Sequence, residues 1–353
     1  MSDMSEYGKI SREAFISTIL TQLGSDRKEV LQQPSTGTDF SAIRIARDKI
    51  MLLSCDPISY LPELGADDSA FISMASVTAD LLTSSVEPAY AAFVLTLPRD
   101  MQQNTFRRFW SAISRECNKL GIAIVAGHTG VYDGCGYGVV GSAYVMAVAR
   151  TGKYISSSMA KPGNKLIMTK TAGIETTFIF ARSFPETVKR EVGTSGFEEA
   201  ISFIRKMQVY DDAIAATSIG IHSKGVTAMH DVAEGGVLGA IYELAEASSS
   251  GVMVYGDRIP VASVTEKICN IFSLNPLTTL GEGSMLVCCQ PSRERRVLES
   301  LRRAGVQATT IGKIVSKGEG RFILRERSEE KLVPIDPSTY WKAYSEAKAR
   351  GFK

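Results

Sequence analysis

The chain has no long apolar run, no excess of charge of either sign and no paired-cysteine spacing, and each absence excludes something. Its 353 residues carry 40 Lys and Arg against 38 Asp and Glu, a net charge of +2. No basic field exists to hold a phosphate backbone, so nucleic-acid binding is not expected. The longest apolar stretches, such as Tyr137–Ala149, are too short and too broken by Gly and Ser to cross a bilayer. The opening MSDMSEYGK is polar, so no secretory signal is expected there. The six cysteines (Cys55, Cys117, Cys135, Cys269, Cys288, Cys289) form no C-x-x-C pair and no cluster with the three histidines. A structural zinc site is therefore not expected, and scattered thiols suit a cytoplasmic, reducing setting. Cys288 and Cys289 end the run Ser284–Cys289, which reads as a buried strand, so both are small core residues rather than a redox pair.

What is present is ordinary for a globular protein: 44% hydrophobic and 22% charged residues. At this length two domains are the natural expectation. Residues 9–24 carry Ile10, Phe15, Ile16, Ile19, Leu20 and Leu23 at helical spacing, closed by Gly24. Strands are expected at Ala42–Ala46 and Ile50–Ser54, then a helix of small residues at Ser69–Ser84 and a strand at Ala89–Leu97. An amphipathic helix at Met101–Leu120 and a buried strand at Ile122–Ala126 follow. The long strand Tyr137–Ala149 is apolar on both faces; it is either central or an edge needing cover. The best boundary is Lys153–Gly163, with its serine run and Lys-Pro-Gly turn. Beyond it come a strand at Lys165–Thr169, helices around 173–183 and 197–220, and a strand at Gly225–Met229. Strands at Ser284–Cys289 and Gln307–Val315 flank a helix at 292–304, and Asp336–Ala349 reads as a surface helix. The result is two successive α+β units.

The stretch Met229–Gly251 stands out. A polar hinge (His230, Asp231, Glu234) meets the pair Gly235-Gly236, and the apolar helical pattern Val237, Leu238, Ile241, Leu244, Ala245 starts at once. A glycine turn feeding a helix leaves outward N–H groups and a positive dipole end, which suit an anion or serve only as a helix start. Three aspartates share a different context, the end or start of an apolar element: Asp39, Asp56 and Asp80. A lone carboxylate in such surroundings wants a cation or a donor, and oxygen-rich sites suit Mg²⁺. The plainer alternatives are a turn cap for Asp39, a turn former for Asp56 before Pro57, and a solvent-facing Asp80. Gly127-His128-Thr129-Gly130 directly follows the strand Ile122–Ala126, a place where functional side chains are common.

These residues, in this order, resemble the AIR synthase (PurM) superfamily over about residues 9 to 325. Gly37-Thr38-Asp39-Phe40-Ser41-Ala42 stands where that family has a G-D-D-A-A-V-type motif, and Leu53-Ser54-Cys55-Asp56 is similar to its T-T-D strand end. Val77-Thr78-Ala79-Asp80-Leu81 through Glu87-Pro88 is similar to V-N-D-L-x-x-x-G-A-x-P, and Gly127-His128-Thr129 stands at G-D-T. In the second half the likeness is to the member HypE: Met229–Val237 resembles M-R-D-P-T-R-G-G-L, and Asn275-Pro276-Leu277 through Gly283 resembles D-P-L-x-x-x-x-E-G.

The resemblance implies an α+β, PurM-like two-domain fold: a helical segment at 1–36, an N-terminal domain at 37–152 whose sheet forms a homodimer, and a C-terminal α+β domain at 153–353. It implies ATP and Mg²⁺ as cofactors and a small-molecule substrate activated at an amide, carboxylate or phosphate oxygen. Asp39, Asp56 and Asp80 would hold the metal. Gly37, Thr38, Ser41, Gly127, Thr129, Gly130, Gly235 and Gly236 would line the nucleotide, and His128, Asp231 and Glu282 would be catalytic. HypE-like dehydration of an external carboxamide and nucleotide binding without turnover are the alternatives. Departures are Thr38 and His128 at positions where relatives have Asp, and no cysteine after Cys289 to match HypE's reactive tail.

Overall fold

The computed structural model describes residues 7–353, and the first six residues of the polar opening lie outside them. The chain divides into two compact units. One comprises residues 29–33 and 40–154; the other comprises residues 1–28, 34–39 and 155–353. Residues 34–39, with the motif Gly37-Thr38-Asp39, thus go with the C-terminal unit, and residues 29–33 go with the N-terminal sheet.

The N-terminal unit is a six-stranded sheet covered on one face by two helices. Its elements are β1 (Val30–Gln32), β2 (Ser41–Arg44), β3 (Lys49–Tyr60), a helix at Gly65–Leu82, β4 (Tyr90–Leu97), a helix at Gln103–Lys119, β5 (Ala123–Val131) and β6 (Gly138–Arg150). The strand order is β1-β2-β3-β6-β4-β5. All pairs are antiparallel except β4 with β5, which the helix Gln103–Lys119 connects as a crossover. That helix buries Phe109, Ala112, Ile113 and Cys117, one face at helical spacing. The helix Gly65–Leu82 is buried nearly all round, which its small residues permit. Ser73 Oγ bonds both the N–H and the carbonyl of Ser59, each at 3.0 Å. Ser69 Oγ bonds the N–H and carbonyl of Leu61 in the same way, at 3.0 and 3.2 Å. Backbone groups at the end of β3 are thereby satisfied from the helix rather than by water.

Three expectations need correction here. β3 does not end at Ser54; it runs through Asp56 and Pro57 to Tyr60, held by twelve register partners on β6. β5 is exposed along almost its whole length, because it is an end strand paired only with β4, and Gly127-His128-Thr129-Gly130 lies inside it rather than after it. β6 is central, and its residues alternate between a buried helix-facing set and an exposed set that includes Val139, Tyr144 and Val148.

The C-terminal unit is built on seven strands: β7 (Lys165–Thr169), β8 (Val226–Asp231), β9 (Gly251–Tyr255), β10 (Met285–Cys289), β11 (Ala308–Val315), β12 (Arg321–Arg325) and β13 (Ser328–Lys331). Their order is β13-β12-β9-β11-β7-β10-β8, with β12 and β9 the parallel pair. A core of Leu166, Met168, Val237, Ile241, Leu244, Leu286 and Ile314 lies between the sheet and the helix Gly236–Ala247. Cys288 and Cys289 sit inside β10, and burial pushes the Cys289 thiol up to about 12, which leaves it inert. The helix expected over residues 9–24 is shorter: an α-turn at Arg12–Ala14 passes into a π-helical turn at Phe15–Ile19, and Ile19 and Leu23 are exposed. The helix expected at 197–220 is two: Pro185–Ser202, kinked at Gly193, and Tyr210–Thr217. The final helix, Ser338–Ala349, is docked rather than superficial. Its Tyr340 and Tyr344 join Phe180, Phe184, Phe272 and Phe352 in one aromatic cluster, with Phe180 4.4 Å from Phe272 and 5.5 Å from Tyr340 between ring centroids.

Phe180 is fully buried at the centre of that cluster. Phe180→Ala should lower stability by about 3–5 kcal/mol, the usual cost of emptying such a site. Urea unfolding checks it, and a loss under about 1 kcal/mol would mean the cluster repacks freely.

Candidate functional site

β8 ends in Met229-His230-Asp231, with His230 opposite Leu286 and Asp231 opposite Met285 on β10. The chain then turns through Gly235 and Gly236, at φ +84° and +60°, into the helix Gly236–Ala247. A Cβ at Gly236 would lie 2.6 Å from the Thr279 carbonyl oxygen and 2.8 Å from that of Leu277, so only glycine fits. The Gly236 N–H donates to Ala233 O at 3.1 Å and the Leu238 N–H to Leu277 O at 3.0 Å. Carbonyl oxygens therefore take two of the helix-start donors expected to face an anion. Gly236 serves close packing of backbone on backbone, and Gly235 supplies the left-handed turn before it.

Asp39 arrives from the loop 34–39. Thr38 Oγ1 accepts from the Ser35 N–H at 3.0 Å and donates to Ser35 O at 2.9 Å, closing a local turn. Gly37, at φ +74°, lies so close to the helix that a Cβ would meet the Glu243 carbonyl oxygen at 2.2 Å, and its own carbonyl accepts from Ser157 Oγ at 2.7 Å. This contact delivers the next carboxylate but one to the end of β8.

There Asp39, His230 and Asp231 meet. Asp39 Oδ1 is 2.6 Å from His230 Nδ1, Asp231 Oδ1 is 3.5 Å from the same nitrogen, and Glu243 Oε2 is 3.3 Å from Nε2. The Asp39, His230 and Asp231 side chains are only 2%, 5% and 7% exposed, while Glu243 keeps 31%. Among the described residues, Asp39 Oδ2 has no hydrogen-bond partner, and His230 meets Asp39 and Glu243 as close charge contacts. Burial opposes charge on His230, but Asp39, then Glu243 and Asp231, outweigh it and hold the imidazole protonated well above its usual range.

A second group gathers around the start of the helix Ile174–Ser183. Thr176 donates its N–H to Leu280 O at 3.3 Å and places its hydroxyl 2.8 Å from Thr279 Oγ1, seating the loop that carries Glu282. Glu282 is buried. Beside it, burial first and the charge of Glu234 second push the Glu175 carboxyl up to about 7, against a hydrogen bond from the Glu282 backbone. An acid that is part protonated at neutral pH thus adjoins a second carboxylate, an arrangement able to hold or move a proton.

The other candidate residues lie in the N-terminal unit. Asp56 is half-buried on the helix-facing side of β3, two residues from Ser54, whose hydroxyl donates to Val77 O at 3.4 Å. Asp80 is half-buried one turn beyond Val77. Asp56 is thus carried by β3 and Asp80 by the helix packed on it. Ser41 opens β2 opposite Leu53. Gly127, His128, Thr129 and Gly130 run along exposed β5. His128 Nε2 is 2.6 Å from the Tyr132 hydroxyl, and the Tyr132 ring lies over Gly130, where a Cβ would meet it at 2.7 Å.

Residues 37–149 match the family described as AIR synthase related protein, N-terminal domain, and residues 161–325 match its C-terminal domain. The chain belongs to the AIR synthase-related family. It is 25% identical over 264 residues to a putative hydrogenase expression/formation protein of Methanocaldococcus jannaschii, covering 72% of this chain and 73% of that one. With the carbamoyl dehydratase HypE of Azotobacter vinelandii it shares 24% identity over 250 residues, 70% of this chain and 69% of the other. A crystal structure of the hydrogenase maturation protein HypE in complex with ATP superposes with a TM-score of 0.67 at 16% identity, over 95% and 98% of the two chains. The two-domain α+β fold expected from the motifs is the one found.

In this AIR synthase-related chain, Glu243 and Glu175 escaped the motif reading, and His230 was named in the polar hinge without a role. His230 stands where HypE has Arg, and Glu175 and Glu243 lie in helices with nothing in their neighbourhood to mark them. Only His230 left a signal: one of three histidines, closing a strand whose other residues are almost all apolar.

Glu175 supplies a pH test. Its carboxyl is raised in the folded state, so between about 4.5 and 7 the native protein holds more protons than the unfolded chain. Stability from this group is then present at low pH and lost as pH rises through that window. Glu175→Gln should melt progressively higher relative to the parent as pH goes from 5 to 8, read by calorimetry. A difference that stays constant with pH would remove the raised carboxyl.

Proposed function

We propose that this protein is an Mg²⁺-dependent, ATP-using enzyme that activates an oxygen of a small amide, carboxylate or phosphate-type substrate. The observation that carries the reading is the pair Asp56 and Asp80, two half-buried carboxylates, one on β3 and one on the helix packed on it, in the matched N-terminal domain. Support comes from the relatives, one named a carbamoyl dehydratase and one solved with ATP. Dehydration of an external carboxamide is the favoured chemistry within that class, on the strength of the first name. The scattered, unpaired thiols suit a cytoplasmic enzyme.

The donor set fits the ion. Asp56 and Asp80 offer hard oxygens only, and partial exposure leaves room for the waters Mg²⁺ retains. Bound there, the ion would draw charge from phosphate oxygens. Within the N-terminal unit, Gly127, Thr129 and Gly130 on β5 and Ser41 on β2 would supply backbone and hydroxyl donors, and in the C-terminal unit the 37–38 turn would do the same. In the C-terminal unit, Glu175 would hold a proton beside Glu282, and Asp231 closes β8; in the N-terminal unit, His128 on β5 pairs with Tyr132 just beyond the strand. Asp39 is drawn into the His230 cluster.

Homodimer formation through the N-terminal sheet belongs to the same reading. The sheet face away from the helices carries Tyr90, Val94, Tyr144 and Val148, all more than a third exposed, and the register sets Met51 beside Val148, Leu53 beside Met146 and Cys55 beside Tyr144. An apolar face of this kind, flanked by an unpaired edge at β5, suits a second copy.

Two outcomes follow. Asp56→Asn and Asp80→Asn should each weaken Mg·ATP binding at least tenfold by titration calorimetry while melting within a few degrees of the parent, since Asn keeps the shape and loses the charge. Full affinity and turnover in both variants would end the metal assignment, and no ATP binding by the parent would end the reading. By light scattering the parent should be a dimer at micromolar concentration and Tyr144→Asp a monomer.

A further inference from the structure

We propose that Lys170 is a positioning residue for Glu282: its ammonium group sits as a fixed internal cation among four oxygens and ties the turn that carries Glu282 to the end of β7. Lys170 directly follows β7, and its Nζ donates to the carbonyl oxygens of Lys206 and Gln208 at 2.9 Å each and of Gly283 at 3.0 Å. Asp212 Oδ2, from the helix Tyr210–Thr217, lies 2.8 Å from the same nitrogen.

Three features separate this from a simple ion pair. First, an ammonium group has three N–H donors, and three backbone carbonyls take them. Asp212 then contributes charge rather than a hydrogen bond, and the Lys170 and Asp212 side chains are only 15% and 1% exposed. A carboxylate so deeply buried needs a cation at its side. Second, Lys170 holds a left-handed backbone, φ +54°, while its N–H donates to Gln307 O at 2.7 Å. Lysine has no intrinsic preference for that conformation, and it persists where the surroundings fix it. Third, the carbonyls come from two turns pressed together. A Cβ at Gly283, φ +111°, would lie 2.8 Å from both Lys206 O and Met207 Cα. The ammonium group is what lets carbonyl oxygens of both turns point at one place.

The link to Glu282 runs through its own backbone. On one side of the turn, Ser284 Oγ donates to Thr171 O at 2.7 Å and the Met285 N–H to Thr169 Oγ1 at 2.9 Å, so both residues flanking Lys170 grip it. On the other side, the Glu282 backbone bonds the Glu175 carboxyl, which also faces Glu234 and Tyr340. Releasing the Gly283 carbonyl would shift Glu282 and, through that bond, Glu175. The ammonium of Lys206 lies over the Phe203 ring, 3.8 Å from its centroid, so Lys170 is the cation of this turn.

Lys170 acts through Glu282 and so rests on the role proposed for Glu282 above; one arm of the experiment therefore uses ATP turnover and the other uses no nucleotide. Lys170→Ala empties the space among the oxygens, where NH₄⁺ can stand in, as small monovalent cations do within carbonyl shells. In the full-length variant, kcat should fall at least about tenfold with KM moving less than about threefold. It should recover at least about threefold in ammonium chloride of about 0.1 M over choline chloride at equal ionic strength, because choline cannot enter. In the nucleotide-free arm, Lys170→Ala and Lys170→Ala/Glu175→Gln are melted between about pH 5 and 8. Loss of the Glu282 hydrogen bond raises the Glu175 carboxyl further, so the pH at which the two diverge should move up by about half a unit or more from that of the parent pair. The parent itself decides if the variants do not fold: the Lys170 ammonium protons should exchange with water at least about tenfold slower than those of exposed Lys189, read by nitrogen-15 NMR. Full turnover in Lys170→Ala, lost turnover with an unmoved pH of divergence, equal recovery in choline chloride, or exchange as fast as at Lys189 each overturns the assignment. No turnover by the parent ends the enzyme reading alone, and the pH arm then decides Lys170.

Discussion

The C-terminal unit turns on one close approach: the backbone of Gly37 against the Glu243 carbonyl, at a distance no side chain tolerates. It carries a loop that is distant in sequence onto the helix Gly236–Ala247, and every contact of Asp39 with β8 depends on it. A Cβ at Gly37 would have to displace either the loop or a helix carbonyl that sits in the middle of a hydrogen-bonded ladder. Because the helix is itself held at its start by Gly236 against the Leu277 and Thr279 carbonyls, the strain could not be passed along it cheaply. Two glycines, one at each approach, therefore position a cluster of charged side chains without contributing any chemistry themselves.

The consequence for electrostatics is a cage of three carboxylates around one imidazole. Removing such groups from water is expensive, and their mutual attraction offsets that cost only while every member is present. His230 is the buried cation between Asp39 and Asp231, so it governs whether the two can lie side by side. The second acidic group, around Glu175 and Glu234, answers burial and like charge by holding a proton instead. Within one unit, two carboxylate clusters are thus stabilised by different means: one by a buried imidazolium, the other by neutralisation.

Much of this was legible in the residues. Periodicity placed the helix Gln103–Lys119 and the strands β4, β7, β10 and β11 within a residue or two, because each is a strong pattern with one buried face. The motif order pointed to the fold. What escaped has physical reasons. β5 reads as a buried strand because it is apolar, yet as an end strand paired only with β4 it is exposed along most of its length. β3 continues through Asp56-Pro57, which local propensity marks as a turn, because twelve cross-strand partners outweigh it. Glu175 and Glu243 owe their surroundings to residues on other elements, Glu234 and Glu282 for the first and His230 and Gly37 for the second, and no spacing rule reports those. The thiols argued against zinc of the cysteine type, and that argument is silent on a histidine that meets its carboxylate only after folding.

β3 also works as a ruler. Its far end is pinned where Ser73 and Ser69 each grip both backbone groups of one residue, Ser59 and Leu61, and its near end is pinned by the hairpin with β2. A strand fixed at two points cannot slide by the two residues that would preserve its alternation of faces. Asp56, between the pins, is therefore indexed against the helix that bears Asp80 by hydroxyl groups several residues away. Insertions or deletions between Lys49 and Leu61 would miscount that distance even where they left the apolar pattern intact. The serines that make this helix look featureless in composition are what set the spacing of Asp80 from the strand.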